Sequence, residues 1–354
     1  MGQLAEGAVR LTIRFFVQRQ LKSAILLTAS LFLCCAFVLS QQTTVLVGVG
    51  STVPLPLYKR WAQEYNTRNS KVRLEYLPLG TSEGIKHVTN GQSDFGAGEV
   101  PLGSSDKGIA LIPMALIGIV PIYNLPGIHG ELHFSGEVLA QILLGEIKVW
   151  NAPQISRLNP NGELPALPIR VVYRPAGKGS NFVITDFLSK ASPAFRARIG
   201  VSASPRWPVG IAAERSSDMV DKVSSEPGSI GYVELQYASD RKIAFGAVLN
   251  RSGKFVKASA ETLTAACEGA ESPQWNGLGA SLTYTPGTEA YPITGFTWFY
   301  VRTSAGDKER AVALADFLNW ATSEGQQFAV QEGYTKLPEK LIEASRAKIR
   351  TLPQ

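Results

Sequence analysis

Apolar and polar positions along the chain fall into two rhythms. There are short continuous apolar runs, and there are segments in which apolar residues recur every three or four places. Val45–Val47 is one such run. Beyond it Tyr58, Trp61, Ala62 and Tyr65 stand at i, i+3, i+4 and i+7, which predicts a helix from Pro54 to about Thr67 with one buried face. Proline suits that first turn, where its missing N–H leaves no bond unmade. Val72–Leu77 alternates as a strand does, and residues 82–90 read as a short helix closed by Gly91. Residues 93–102 read as a strand running into a loop. Residues 112–127 are almost continuously apolar, which fits a buried strand or an extended crossing between two domains. Ser135 starts a helix that stops near Gly145, and residues 168–174 form a strand leading to a helix from about Asn181. Residues 291–301 are the longest strand-like run, and the helix after them carries Ala311, Leu314, Ala315 and Leu318 on one face.

Strands alternating with helices argue for an α/β architecture with mostly parallel sheets. The 354 residues exceed one comfortable core, so two α/β lobes are expected.

The first forty residues have a different pattern. Arg10, Arg14, Arg19 and Lys22 form a basic leader, and the stretch from Ala24 to Leu39 is nearly all apolar. Val38 and Ser40 supply small residues before Gln41. This is the layout of a secretory signal peptide over residues 1–40, and it implies a periplasmic or otherwise exported product. The apolar run is short for a membrane span, which needs about 20 residues. Cys34 and Cys35 raise lipidation as an alternative, but Leu31, Phe32 and Leu33 before them are bulky for an attachment box.

Removing the leader takes four basic residues and one acidic, so the net charge falls from +6 to +3. No dense Lys/Arg cluster remains, and nucleic-acid binding has no compositional support. Only Cys267 is left, so no intrachain disulfide can form and core packing must carry the stability.

Three turns share one chemistry: "GVGSTVP" before the helix at 54, "PLGTSEGI" before that at 82, and "RPAGKGSNF" before that at 181. Each has glycine, then Ser or Thr, then a helix start. A helix N-terminus presents free N–H donors and about half a positive charge, which suits an anion. Ser and Thr are also the ordinary N-cap residues, so each turn taken alone fits a plain cap. Parallel sheets gather such turns beyond the carboxyl ends of their strands, where ligands bind. None is a nucleotide motif: glycine follows the lysine in "AGKGS", and "GVGSTVP" lacks the third glycine of a dinucleotide fingerprint. No cofactor is implied.

The series "GVGSTVPLPLYKRWAQEYN", "LGTSEGIKHVTNGQSDFGAGEVPL", "YNLPG", "LLGEIKVWN", "GKGSNFVITDFLSKASPAF", "RWPVG", "PGSIGYVELQYA" and "YPITGFTWF" resembles the periplasmic phosphate-binding proteins of ABC phosphate importers. The resemblance runs from about Val45 to the C-terminus. It implies the two-lobed type II periplasmic-binding-protein fold, with two crossover strands as hinge. Lobe 1 would be residues 41–118 and 292–354, and lobe 2 residues 119–291. It implies a monomer with no catalytic activity that carries inorganic phosphate to permease subunits in the inner membrane. By position, the phosphate contacts would be Thr52, Val53, Thr81, Glu99, Arg174, Lys178, Gly179 and Ser180. Arginine offers a bidentate fork to a tetrahedral oxyanion. The one carboxylate would accept the proton of hydrogen phosphate and repel sulfate, which has none to give.

Three departures from the family pattern stand out. Glu99 replaces the usual aspartate, so the loop 96–101 is expected to retreat. Ala176 removes a carboxylate that usually accompanies the arginine. Lys178 replaces a hydroxyl, and its ammonium is expected near the anion or Glu99. A binder of another oxyanion is therefore an alternative. A phosphoester hydrolase using Ser180 is a weaker one, because no G-x-S-x-G elbow or assignable histidine base accompanies it. His129 and His133 have the i, i+4 spacing of a metal pair, but Pro126, Gly127 and Gly130 argue against a helix and no third ligand is nearby. Trp61, Trp150 and Trp207 are expected in the core or at domain edges.

Overall fold

The computed structural model describes residues 43–102, 108–128, 130–270, 279–304 and 306–353. The leader, with Cys34 and Cys35, lies outside the described residues, as does His129. From Thr44 onward the chain forms one compact unit.

The apolar runs become strands. β1 (Thr44–Gly50), β2 (Val72–Leu77) and β3 (Phe95–Gly98) lie parallel with β1 between the others. β4 (Ile109–Tyr123) follows, then β5 (His133–Phe134), β6 (Arg170–Tyr173), β7 (Ile211–Ala212) and β8 (Ser229–Glu234). β9 (Ala247–Leu249), β10 (Phe255–Val256) and β11 (Thr294–Arg302) complete the series. Eight of them form one sheet in the order β2-β1-β3-β11-β4-β8-β6-β7, and β10, β9 and β5 form a small second sheet. The outer strands of the large sheet are parallel at both ends, β2-β1-β3 and β8-β6-β7. The middle is an antiparallel seam, because β11 and β4 both run against their neighbours.

β4 decides the layout. Its first ten residues, Ile109 to Gly118, pair with β11, and its last five, Ile119 to Tyr123, pair with β8. One strand thus belongs to both halves, as expected of an apolar crossing. It is also the longest strand, at 15 residues against 9 for β11, which corrects the expectation that residues 291–301 held the longest run. Burial on both faces explains why β4 lacks polar alternation: every residue from Ala110 to Tyr123 is buried.

Each half has its own aromatic core. In the first, Trp61 stacks on Tyr58 (centroids 5.5 Å apart) and Phe299 fits between Tyr58 and Phe95. The helix Leu55–Arg68 delivers Tyr58, Trp61 and Tyr65 from the predicted stripe, and Trp61 Nε1 donates to the Gly325 carbonyl at 2.8 Å. In the second, Trp150 packs with Tyr123 and Phe134. Trp207 is half-buried against Tyr173, Phe195 and Tyr232.

Candidate functional site

Helix starts in this protein are of two kinds. Ser135, Ser192, Ser259 and Asp307 cap their helices with a side-chain oxygen that accepts a backbone N–H. The helices Leu55–Arg68, Thr81–Thr89 and Gly179–Ala191 have no side-chain cap; their N-cap positions are Pro54, Gly80 and Lys178. These are the three hydroxyl-bearing turns of the sequence, so the plain-cap alternative falls at all three. Their hydroxyls are nonetheless buried: Ser51, Thr52, Thr81 and Ser180 are each less than a tenth exposed.

The strands bring these turns together. Ser51 and Thr52 follow β1, Glu99 follows β3 and Arg174 follows β6, all at carboxyl ends of parallel strands. Gly80, with φ of +114°, turns the chain so that Thr81 opens its helix, and its N–H bonds the Gly50 carbonyl at 2.7 Å. Val53 N–H donates to Ser51 Oγ at 3.0 Å. Two bonds join the two walls. Arg174 Nη2 donates to Thr52 Oγ1 at 3.1 Å, and Ser82 N–H donates to the Gly177 carbonyl at 3.2 Å.

Arg174 is 1% exposed. Nη1 donates to Ser216 Oγ at 2.9 Å, and Nη2 also donates to the Glu214 carbonyl at 2.9 Å. No carboxylate pairs with it among the described residues. Glu99, opposite, is 1% exposed and accepts from Thr81 Oγ1 at 2.8 Å through Oε2. Burial pushes its carboxyl up to about 8, against the pull of the Ser51 and Thr81 hydroxyls, while Glu234 adds to the rise and Arg174 opposes it.

The Glu99 carboxylate reaches the turn on the opposite wall. A Cβ on Gly179 would stand 1.6 Å from Glu99 Oε2 and 2.6 Å from Thr81 Oγ1. The absent side chain at 179 is therefore the space the carboxylate uses. β3 meanwhile stays fully buried and paired with β1 and β11.

Glu99 Oε1, Arg174 Nε and Ser180 Oγ are buried with no hydrogen-bond partner among the described residues. Buried polar groups are nearly always bonded, so three such atoms at these turns mark a place where a ligand completes the network. The cluster mixes donors with a carboxylate. It suits an anion that also carries protons.

The PBP superfamily domain model matches residues 39–325. The phosphate-binding protein PstS of Pasteurella multocida is 34% identical over 319 residues, covering 89% of this chain and 92% of that one. The chain belongs to the PstS family. Among solved structures, a phosphate ABC transporter substrate-binding protein from Clostridium perfringens has a TM-score of 0.61 at 19% identity and covers 83% of this chain and all of its own. A high-affinity periplasmic phosphate-binding protein (PfluDING) has a TM-score of 0.68 at 17% identity, covering 86% and 93%. These structures share the type II periplasmic-binding fold, with two lobes joined by crossing strands.

Within the PstS family this chain's departures now have positions. Lys178 makes no ion pair with Glu99. Its ammonium lies 3.4 Å from Glu214 Oε2, and its side chain is 14% exposed. Glu214 thus holds Lys178 by its carboxylate and Arg174 by its carbonyl. Ser180 Oγ has no hydrogen-bond partner among the described residues, so none of them is seated on it as a base. His133 stacks on Phe255 at 4.4 Å, which accounts for it as a packing residue.

Sequence reasoning missed Ser51, Ser216, Tyr232 and Asn181. Tyr232 OH donates to Asn181 Oδ1 at 2.5 Å and accepts from Arg174 N–H at 3.1 Å, so two buried polar residues hold the arginine's backbone. The one available signal was at Ser51, which stands in the turn "GVGSTVP" already singled out.

Proposed function

We propose that this protein binds hydrogen phosphate between its two lobes and delivers it to an ABC-type phosphate permease. The observation that carries the reading is Arg174 buried near Glu99 with no carboxylate partner among the described residues, where Glu99 Oε1 is unpartnered too. An unpaired buried guanidinium calls for an anion. Where Glu99 is ionised, its carboxylate calls for an anion with a proton to donate, which separates phosphate and arsenate from sulfate; below about 8 it holds a proton of its own and can donate instead. The proposed contacts are Thr52, Val53, Thr81, Glu99, Arg174, Lys178, Gly179 and Ser180. Hydroxyls and backbone N–H groups satisfy oxygens without adding charge, and Arg174 supplies the fork.

In this reading residues 1–40 are a cleaved leader, residues 41–118 with 292–354 form one lobe, and residues 119–291 form the other. The protein acts as a periplasmic monomer and performs no chemistry. Ligand binding would favour the closed arrangement by its differential affinity for it. Isothermal titration with phosphate, arsenate and sulfate above about pH 8, where Glu99 is ionised, tests the reading: tight binding of the first two and none of sulfate is expected. Indifference to phosphate overturns it, and equal binding of sulfate moves the site to another oxyanion class.

A further inference from the structure

A cavity of about 210 Å³ opens at the edge of the large sheet away from the anion site. Ser93 and Asp94 lead into β3 and Glu99 follows it, so the strand holds the two places about 16 Å apart at 3.3 Å per residue. β11 runs antiparallel to β3 with Val301 opposite Phe95, which brings Arg302 to the same edge as Asp94. The lining combines Ser93, Asp94, Arg302 and Arg310 with the buried apolar residues Val301, Leu314, Ala315 and Leu352.

Both acidic groups of the lining are engaged by Arg310. Its Nε donates to Asp94 Oδ1 at 2.8 Å and its Nη2 to Asp94 Oδ2 at 2.5 Å. Its backbone N–H donates to Asp307 Oδ1 at 3.1 Å, the cap of the helix Lys308–Ala321. Arg302 is left over: it has no hydrogen bond or ion pair among the described residues. Its guanidinium lies over Gly91, where a Cβ would stand 2.3 Å from Nη1. Ser93 is 5% exposed, and its Oγ too has no hydrogen-bond partner among the described residues. A buried hydroxyl without a partner is costly, so a group from outside the chain is called for.

We propose that this cavity binds a small monocarboxylate with an apolar tail. The Arg302 fork suits a planar carboxylate, the Ser93 hydroxyl can donate to it, and the apolar part of the lining covers the tail. A dianion would meet a single unpaired cation beside two carboxylates, and an amine would meet that cation. The proposal stands apart from the phosphate reading.

Hexanoate and hexylamine, alike in tail and opposite in charge, are the probes. Each is titrated by calorimetry into wild type, Arg302→Gln, Arg302→Glu and Ser93→Ala. Wild type is expected to bind hexanoate and to prefer it to hexylamine. Arg302→Gln is expected to weaken hexanoate roughly tenfold, the worth of one charge-assisted pair. Ser93→Ala is expected to weaken it about threefold. Arg302→Glu is expected to turn the preference to hexylamine, which a merely structural role for Arg302 would not do. Circular dichroism checks folding; if the Arg302 variants do not fold, Ser93→Ala decides by its loss of hexanoate affinity. A wild type that ignores hexanoate or prefers hexylamine overturns the proposal, and so do folded variants that bind hexanoate as wild type does.

Discussion

Gly179 and Glu99 occupy one another's space: a methyl group at 179 would stand 1.6 Å from Glu99 Oε2. The Glu99 carboxylate thus fills space that a side chain at 179 would need. Gly179→Ala is expected to weaken phosphate binding by roughly a hundredfold, because carboxylate and methyl cannot both keep their places. Combining it with Glu99→Asp, which withdraws the carboxylate by one methylene, is expected to recover part of that loss. Titration of the two single variants and the double variant measures the coupling. Simple additivity would show that the two residues do not share this space.

Arg174 is the cation of the site. Arg174→Ala removes bonds to Thr52, Ser216 and the Glu214 carbonyl, and it leaves Glu99 facing the anion with no opposing charge at that point. Phosphate affinity is expected to fall by about two to three orders of magnitude, the scale of losing two charge-assisted bonds. Arg174→Lys keeps the charge without the fork and is expected to fall short of wild type by at least about tenfold. A variant that binds as tightly as wild type would remove Arg174 from the site.

Glu99 ties stability to pH. Its carboxyl is pushed up to about 8 by burial, well above the ordinary value of 4.5. Between those values the folded protein holds a proton that the unfolded chain has released. The stabilising contribution is full below the lower value and is lost as pH rises through about 8. The ligand-free protein is therefore expected to lose stability across that window. Glu99→Gln is expected to flatten the slope and to exceed wild type in stability at its alkaline end. Urea denaturation at a series of pH values, without phosphate, provides the check. A slope of the same size in wild type and Glu99→Gln would show that Glu99 does not titrate in this way.

The parts of the fold legible in the sequence were those set by local pattern. The stripe Tyr58, Trp61, Tyr65 gave a helix with the expected buried face, and Ser135 began its helix as a cap. Residues 112–127 were legible as a buried or crossing strand, and the pairing of β4 with both β11 and β8 decides between them. What sequence could not convey was pairing over distance. That Gly179 makes room for Glu99 and that Glu214 takes up Lys178 are consequences of which strand ends meet. The uncapped state of three helix starts was likewise hidden, since Ser and Thr are present at those turns in either case.

The position of β11 has a consequence for how such a chain is made. β11 lies between β3 and β4, so residues 294–302 fill a gap in a sheet whose flanking strands end and begin at Gly98 and Ile109. Trp298 pairs with Gly98, and Trp61 bonds to Gly325, across about two hundred residues or more of chain. During synthesis the first half of the sheet stays open until nearly all of the polypeptide has emerged. Non-local closure of this kind is slow, because loop entropy is lost before contacts repay it. With residues 1–40 as the leader proposed above, that delay would keep the chain threadable, which is the condition a translocation channel requires of its cargo.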